Sequence, residues 1–138
     1  MALSYLLDTS VLTRLAKPAV SVRLGEIEDD NLALARCAMT DLELGASASN
    51  GKEAAALKGV LDAYVPVEFE SQDFHRALEL QVDLAQAGLK GRKPPDLMIA
   101  AVALRLGLTV LHYDRDFEHI GSVSPLLQEW IVTAGSVD

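Results

Sequence analysis

Apolar segments of two kinds alternate along the chain. Short runs that are continuously apolar or alternate with polar residues predict strands. These runs are residues 3–7, 32–35, 65–69, 108–111 and 130–132. Segments with apolar residues three or four positions apart predict helices between the strands. Strands and helices in alternation predict an α/β fold, with a parallel sheet of about five strands and helices on both faces.

Prolines and polar residues set the limits of the helices in the first half of the chain. A short helix is predicted after the first strand, and Pro18 fits the first turn of a second helix that runs to about Ile27. Thr40 and Glu43 match a capping box, so the next helix is predicted to begin at Thr40. Residues 54–64 have the apolar spacing of a further helix.

The second half contains two longer helices by the same criteria. Ser71 is predicted to cap a helix that stops at Gly88. Its predicted apolar stripe consists of Phe74, Ala77, Leu78, Gln81 and Ala85. Residues 97–106 are apolar almost all round and predict a buried helix that ends at Gly107. Pro66 removes a ladder donor, so residues 65–69 are predicted to form an edge strand or a strand start.

Length and composition favour one cytoplasmic domain over residues 1–138. Half of the residues are hydrophobic, which is enough for a core, and the longest apolar stretches fall short of the roughly 20 residues of a membrane span. We therefore expect no membrane association. The single cysteine, Cys37, excludes an internal disulfide and a multi-cysteine zinc site, and is predicted to be a core thiol. A net charge of −8 argues against binding nucleic acid through bulk positive charge.

Five carboxylates follow apolar runs or open predicted helices. They are Asp8, Glu43, Asp96, Asp114 and Asp116. Each alone has a structural explanation as a helix cap or a surface charge. In a parallel sheet, however, the carboxyl ends of the strands meet along one edge, where ligands bind. Carboxylates that converge there repel one another unless a cation lies between them, and oxygen ligands suit magnesium or manganese.

Such a site predicts hydrolysis of phosphodiester bonds by a metal-activated water. Ser10 is a candidate to position an acid, the water or the substrate through its hydroxyl. Lys90, Arg92 and Lys93 precede Asp96 and are candidates to bind substrate phosphates.

Four segments together resemble the PIN domain, and in particular the VapC-type ribonuclease toxins of bacterial toxin–antitoxin pairs. The segments are LLDTS (6–10), TDLELG (40–45), PDLMIAA (95–101) and YDRDF (113–117). The resemblance covers nearly the whole chain. It implies a PIN-like three-layer sandwich and a magnesium-dependent endoribonuclease, with manganese as a substitute metal. It also implies a homodimer that is inhibited by a VapB-type antitoxin, whose tail enters the acidic pocket.

The same resemblance implies that Asp8, Glu43 and Asp96 are metal ligands, with Asp114 or Asp116 as the fourth acid. The family often has a threonine two residues before the aspartate of the last motif, and this chain has His112 there. His112 is a candidate base, although a buried histidine at a strand end is the favoured interpretation.

Two other functions fit part of the pattern. A non-catalytic module could keep the fold and bind RNA or protein, but loss of an acid would mark it, and all of the acids are present. A phosphatase or phosphotransfer domain could use Asp8 as the phosphate acceptor. Ser10, however, occupies the place of the second acid in aspartate-dependent phosphatases.

Overall fold

The computed structural model of the chain describes residues 2–89 and 92–138. Its strands are β1 (Ala2–Leu7), β2 (Leu32–Cys37), β3 (Val65–Val67), β4 (Thr109–His112) and β5 (Gln128–Trp130). Its helices are α1 (Thr9–Leu12), α2 (Pro18–Asp29), α3 (Ala38–Ala46), α4 (Gly51–Leu61), α5 (Ser71–Gln86), α6 (Pro94–Leu106) and α7 (Asp116–Val123).

The five strands form one parallel sheet in the order β3-β2-β1-β4-β5. The apolar strand β1 lies at the centre, with β2 on one side and β4 on the other. Pro66 lies in β3, at one edge of the sheet, as its missing N–H donor predicts. The predicted α/β fold with a parallel sheet of about five strands is therefore confirmed.

Side chains alternate across the sheet and build a core on each face. Leu6 and Val110 pack on one face and Leu7 and Leu111 on the other, because neighbouring residues of a strand point to opposite sides. The first core contains residues of α5, α6 and α7, namely Leu80, Leu84, Ile99 and Phe117. The second contains residues of α1 to α4, namely Val11, Leu24, Leu44 and Leu61. The helices thus form outer layers on both sides of the sheet, as in a three-layer sandwich.

The predicted start of α3 is wrong. The helix begins at Ala38 with Cys37 as its N-cap residue, so Thr40 lies inside it. Thr40 is fully buried, and its hydroxyl donates a hydrogen bond of 3.3 Å to the carbonyl oxygen of Leu7 at the end of β1. A tertiary contact therefore takes the hydroxyl that the capping box would use. Cys37 is buried, as predicted.

The predicted cap and apolar stripe of α5 are also wrong in part. Glu70, not Ser71, is the N-cap residue, and its side chain forms a capping box with Asp73. Phe74 and Leu78 are 60% and 59% exposed. The residues of this helix that are buried are Asp73, Ala77, Leu80 and Leu84. The buried face is therefore rotated from the predicted stripe, and Ala77 is common to both.

An ion pair between α5 and α6 explains why Asp73 can be buried in α5. Arg105, in the last turn of α6, donates hydrogen bonds of 2.9 and 3.1 Å to the two carboxylate oxygens of Asp73. Gly107 ends α6 with φ +67°, in the left-handed region that glycine adopts readily, as predicted. Helix α6 thus has a fixed orientation, with Asp96 in its first turn.

No helix within residues 2–89 and 92–138 combines the length and the apolar character that crossing a membrane requires.

Candidate metal centre

Four of the five acids predicted from the sequence lie at the carboxyl ends of the central strands or at helix starts, and the fifth, Glu43, lies within α3. Asp8 follows β1 directly and is the N-cap residue of α1. Its backbone N–H donates to the carbonyl oxygen of Leu111 in β4, at 3.0 Å. Asp114 follows β4, and Asp116 begins α7. The central pair of strands therefore brings the first and the last of the acidic motifs to one edge.

Three of the carboxylates form a compact group. Asp96, Asp114 and Asp116 each offer an oxygen atom, and these oxygens all lie within 4.8 Å of one another. Asp8 and Glu43 are outside this group. Asp8 is nevertheless close enough for its charge to raise the pKa of Asp96, and the pKa of Asp8 is itself raised by burial first and then by the charges of Glu43 and Asp114.

The buried carboxyl of Asp96 has the environment of a cation ligand. Its Oδ2 atom is buried and accepts no hydrogen bond from the part of the chain that the structure describes. Burial, together with the charges of Asp8 and Asp114, raises its pKa to about 8, while Lys93 acts in the opposite direction. Burial also raises the pKa of Asp8. A divalent cation would relieve this repulsion and satisfy the unpaired oxygen, so the residues present fit a hard metal ion.

Ser10 fixes the orientation of Asp8. Its hydroxyl donates to Asp8 Oδ2 at 2.5 Å and accepts a hydrogen bond from the backbone N–H of Tyr113 at 2.8 Å. The backbone N–H of Ser10 donates to the same carboxylate oxygen at 3.0 Å. The structure thus places Ser10 against an acid of the site, and its contact with substrate stays a prediction.

Glu43 is held by a residue that the sequence interpretation did not single out. Thr9 Oγ1 donates to Glu43 Oε1 at 2.7 Å, between α1 and α3. Thr9 directly follows Asp8, so it lies on the same turn at the sheet edge, and that position was the signal available in the sequence. Glu43 therefore turns toward the acidic edge through α1 and does not close a capping box on Thr40.

The sequence comparison decides the family of the chain. The model of the PIN domain matches residues 5–123. The chain belongs to the PIN domain family. Over 138 residues it is 46% identical to Ribonuclease VapC51 of Mycobacterium tuberculosis, with all of both chains covered. It is 41% identical to Ribonuclease VapC21 of the same species, with 99% of each chain covered. The predicted resemblance to VapC-type PIN domains is therefore confirmed.

The fold of this PIN domain also matches solved structures. The crystal structure of DNA-bound VapBC from Salmonella typhimurium superposes with a TM-score of 0.76, covering 94% of this chain and 99% of that chain. The two sequences are 18% identical, so this likeness concerns the fold.

Two basic residues of the PIN domain contact the acid group. Arg92 Nη1 lies 2.5 Å from Asp116 Oδ1, and Lys93 Nζ lies 3.7 Å from Asp114 Oδ2. The neighbouring carboxylates, Asp96 foremost, raise the pKa of Lys93, whose side chain is 64% exposed. Both residues therefore lie beside the acid group, while Lys90 lies outside the described residues. Their predicted binding of substrate phosphates stays a prediction.

His112, which departs from the family pattern, supports the loop that contains Asp114. Its Nδ1 atom accepts a hydrogen bond of 3.1 Å from the backbone N–H of Asp114, so the proton of the neutral ring is on Nε2. Nε2 then donates to Gln128 Oε1 at 2.6 Å. The ring is fully buried between Phe117 and Trp130, and burial lowers its pKa. Both ring nitrogens are engaged, which favours a structural role over that of a base.

Proposed function

We propose that this PIN domain is a metal-dependent endoribonuclease and the toxin of a toxin–antitoxin pair. The observation that carries the proposal is the buried Asp96 carboxyl, which has an unpaired oxygen and lies within 4.8 Å of ligand oxygens of Asp114 and Asp116. Two relatives that match nearly the full chain bear the name ribonuclease, which supports the choice of RNA as substrate.

The donor set favours magnesium, with manganese as a substitute, because every candidate ligand atom is a carboxylate oxygen. Asp8, Glu43 and Asp96 would hold the ion with Asp114 or Asp116. The bound ion would supply a water of lowered pKa and a counter-charge for the leaving oxygen of a phosphodiester.

The chain's own residues prepare that site before substrate arrives. Ser10 holds Asp8 in one orientation through two hydrogen bonds, and Thr9 holds Glu43 through one. Such positioning reduces the reorganisation that catalysis requires. We expect Arg92 and Lys93 to bind RNA phosphates, because they lie beside the acids at the entrance of the site.

We further propose a VapB-type antitoxin as the protein partner, a homodimer as the active assembly, and the cytoplasm as the location. The likeness to VapC proteins supports these assignments. Growth arrest on induction of the gene, relieved by co-expression of its neighbouring antitoxin gene, would test the pairing.

Cleavage of labelled single-stranded RNA by the purified protein tests the catalytic proposal. Magnesium or manganese should support cleavage, and EDTA should abolish it. Asp8→Asn and Asp96→Asn should each abolish cleavage with an unchanged circular dichroism spectrum, while Asp62→Asn, at an exposed acid of the surface, should not. Full cleavage by the Asp96→Asn protein or in EDTA would refute the metal site. RNA binding without cleavage by the unmodified protein would favour a non-catalytic module.

A further inference from the structure

A guanidinium group lies beside the metal centre on the side of Asp8. Arg14 Nη1 donates to the carbonyl oxygen of Ser10 at 2.8 Å, and its Cζ atom lies 4.6 Å from the centroid of the Tyr113 ring. Ser10 in turn contacts both Asp8 and the backbone of Tyr113. Arg14 is therefore separated from an acid of the metal centre by a single residue, and the ring of Tyr113 holds it in place.

Val137 and Asp138 pack against Arg14 and Tyr113. Asp138 Oδ1 is 3.2 Å from Arg14 Nε. The hydroxyl of Tyr113 donates to the carbonyl oxygen of Val137 at 2.6 Å. A carboxylate on a guanidinium occupies the position that a phosphate oxygen would take, since both anions accept the same N–H donors. The Asp138 side chain is 42% exposed, and exposed ion pairs are among the weakest in proteins, so another anion can displace it.

Arg14 differs from Arg92 and Lys93 in the carboxylate with which it pairs. Arg92 and Lys93 pair with Asp116 and Asp114, which belong to the acid group. The carboxylate on Arg14 comes instead from Asp138, outside that group. A polyanion that approaches a protein of net charge −8 needs local cations. Arg14 can receive a phosphate without removing a counter-charge from a metal ligand.

We propose that Arg14 is a binding residue for a phosphate of single-stranded RNA next to the metal centre, and that Asp138 occupies the phosphate position while RNA is absent. Tyr113 is the positioning residue for the guanidinium. The inference rests on the proposed function, because it takes RNA to be the ligand. It adds a subsite on the side of the metal centre formed by Asp8 and α1, where the motif LLDTS (6–10) has no basic residue.

RNA binding without metal tests the subsite separately from catalysis. The probe is a fluorescein-labelled, unstructured RNA of about 12 nucleotides, bound to the Asp96→Asn protein in EDTA. Arg14→Gln should weaken binding about tenfold, the loss typical of one charge-assisted hydrogen-bonded contact. The slope of log affinity against log salt should fall by about 0.7, the value for one phosphate on a single strand.

Three further variants separate an RNA contact from a structural anchor. Arg14→Lys should restore the salt slope but only part of the affinity, because it keeps the charge and loses the planar donors. Asp138→Asn should tighten binding severalfold. Arg76→Gln should leave binding unchanged, because Arg76 lies in α5 and lines a cavity with Arg105, which is in the last turn of α6, the end opposite Asp96. Calorimetry with manganese should give equal affinity for the Arg14→Gln protein and the unmodified protein, which shows that the metal centre is intact.

Unchanged affinity and salt slope in Arg14→Gln would overturn the inference, as would weaker or equal RNA binding in Asp138→Asn. Failure of the Asp96→Asn protein to bind the probe at low salt would overturn it as well. None of these results depends on cleavage, so the proposed nuclease activity stands or falls on the separate assay with the unmodified protein and metal.

Discussion

Replacing Asp96 with asparagine should stabilise the metal-free protein, although it should abolish RNA cleavage. The ordinary pKa of the carboxyl is 3.8, and burial among neighbouring carboxylates raises it to about 8. Between these values the folded state keeps a proton that the unfolded state releases, so the free energy of unfolding falls as the pH rises. Below the lower value both states are protonated, and Asp96 has no such effect.

The size of the gain follows from the same interval. Each pH unit between the two pKa values lowers the free energy of unfolding by about 1.36 kcal/mol. The largest destabilisation that the carboxyl of Asp96 can cause is therefore about 4 kcal/mol at pH 7 and under about 2 kcal/mol at pH 5. Relaxation and water entry reduce such penalties, so we expect Asp96→Asn to gain about 1–3 kcal/mol at pH 7 and less at pH 5.

Urea unfolding in EDTA, followed by circular dichroism, measures this gain. The midpoint of the Asp96→Asn protein should rise by about 1 M at pH 7. Asp62→Asn, the same substitution at an exposed position, should move the midpoint little. With manganese in place of EDTA, the unmodified protein should have the higher urea midpoint, because the metal stabilises only the protein that binds it. An unchanged or lower midpoint at pH 7, or an equal gain at pH 5 and pH 7, would refute the reasoning.

Two further predictions concern contacts that support the site. Arg105→Ala should lower the free energy of unfolding by about 3 kcal/mol in urea titrations, because it leaves the buried carboxylate of Asp73 unpaired. A loss below about 1 kcal/mol would contradict this account. Thr9→Val should weaken manganese binding severalfold in calorimetry, since it removes a hydrogen bond worth about 1 kcal/mol from Glu43. Equal affinity would show that Thr9 does not position this acid.

The centre of the sheet could be predicted from the sequence because β1, β2 and β4 each contain consecutive buried apolar residues. The apolar run at residues 3–7 needs neighbours on each side, and β1 indeed occupies the centre of the sheet. The last strand is only three residues long, and its predicted position at residues 130–132 overlaps the observed Gln128–Trp130 in one residue. Short edge segments carry too few apolar positions to fix their limits.

The orientation of helix α5 could not be predicted, because its burial depends on a partner far along the chain. Phe74 and Leu78 are apolar and spaced like a core stripe, yet both are exposed. Asp73 is polar and buried because Arg105 pairs with it from α6. Local periodicity identifies a helix but gives no information on a charge pair formed across more than thirty residues.

At the candidate site, too, the sequence predicted which residues take part but not the contacts between them. Sequence motifs located Asp96, Asp114 and Asp116, which the structure brings together. The hydrogen bond from Thr9 to Glu43 and the one between His112 and Gln128 could not be predicted, because each depends on how closely two separate elements approach.

The central place of β1 determines when the site can form during synthesis. On one side β1 pairs with β2, which follows soon after it, but its other partner, β4, begins at Thr109. Asp114 and Asp116 come after β4 in the chain. Pairing between such distant strands is slow, because a long loop must close first. On the ribosome, a nascent chain therefore cannot bring the three carboxylates together until residues beyond Asp116 have left the exit tunnel.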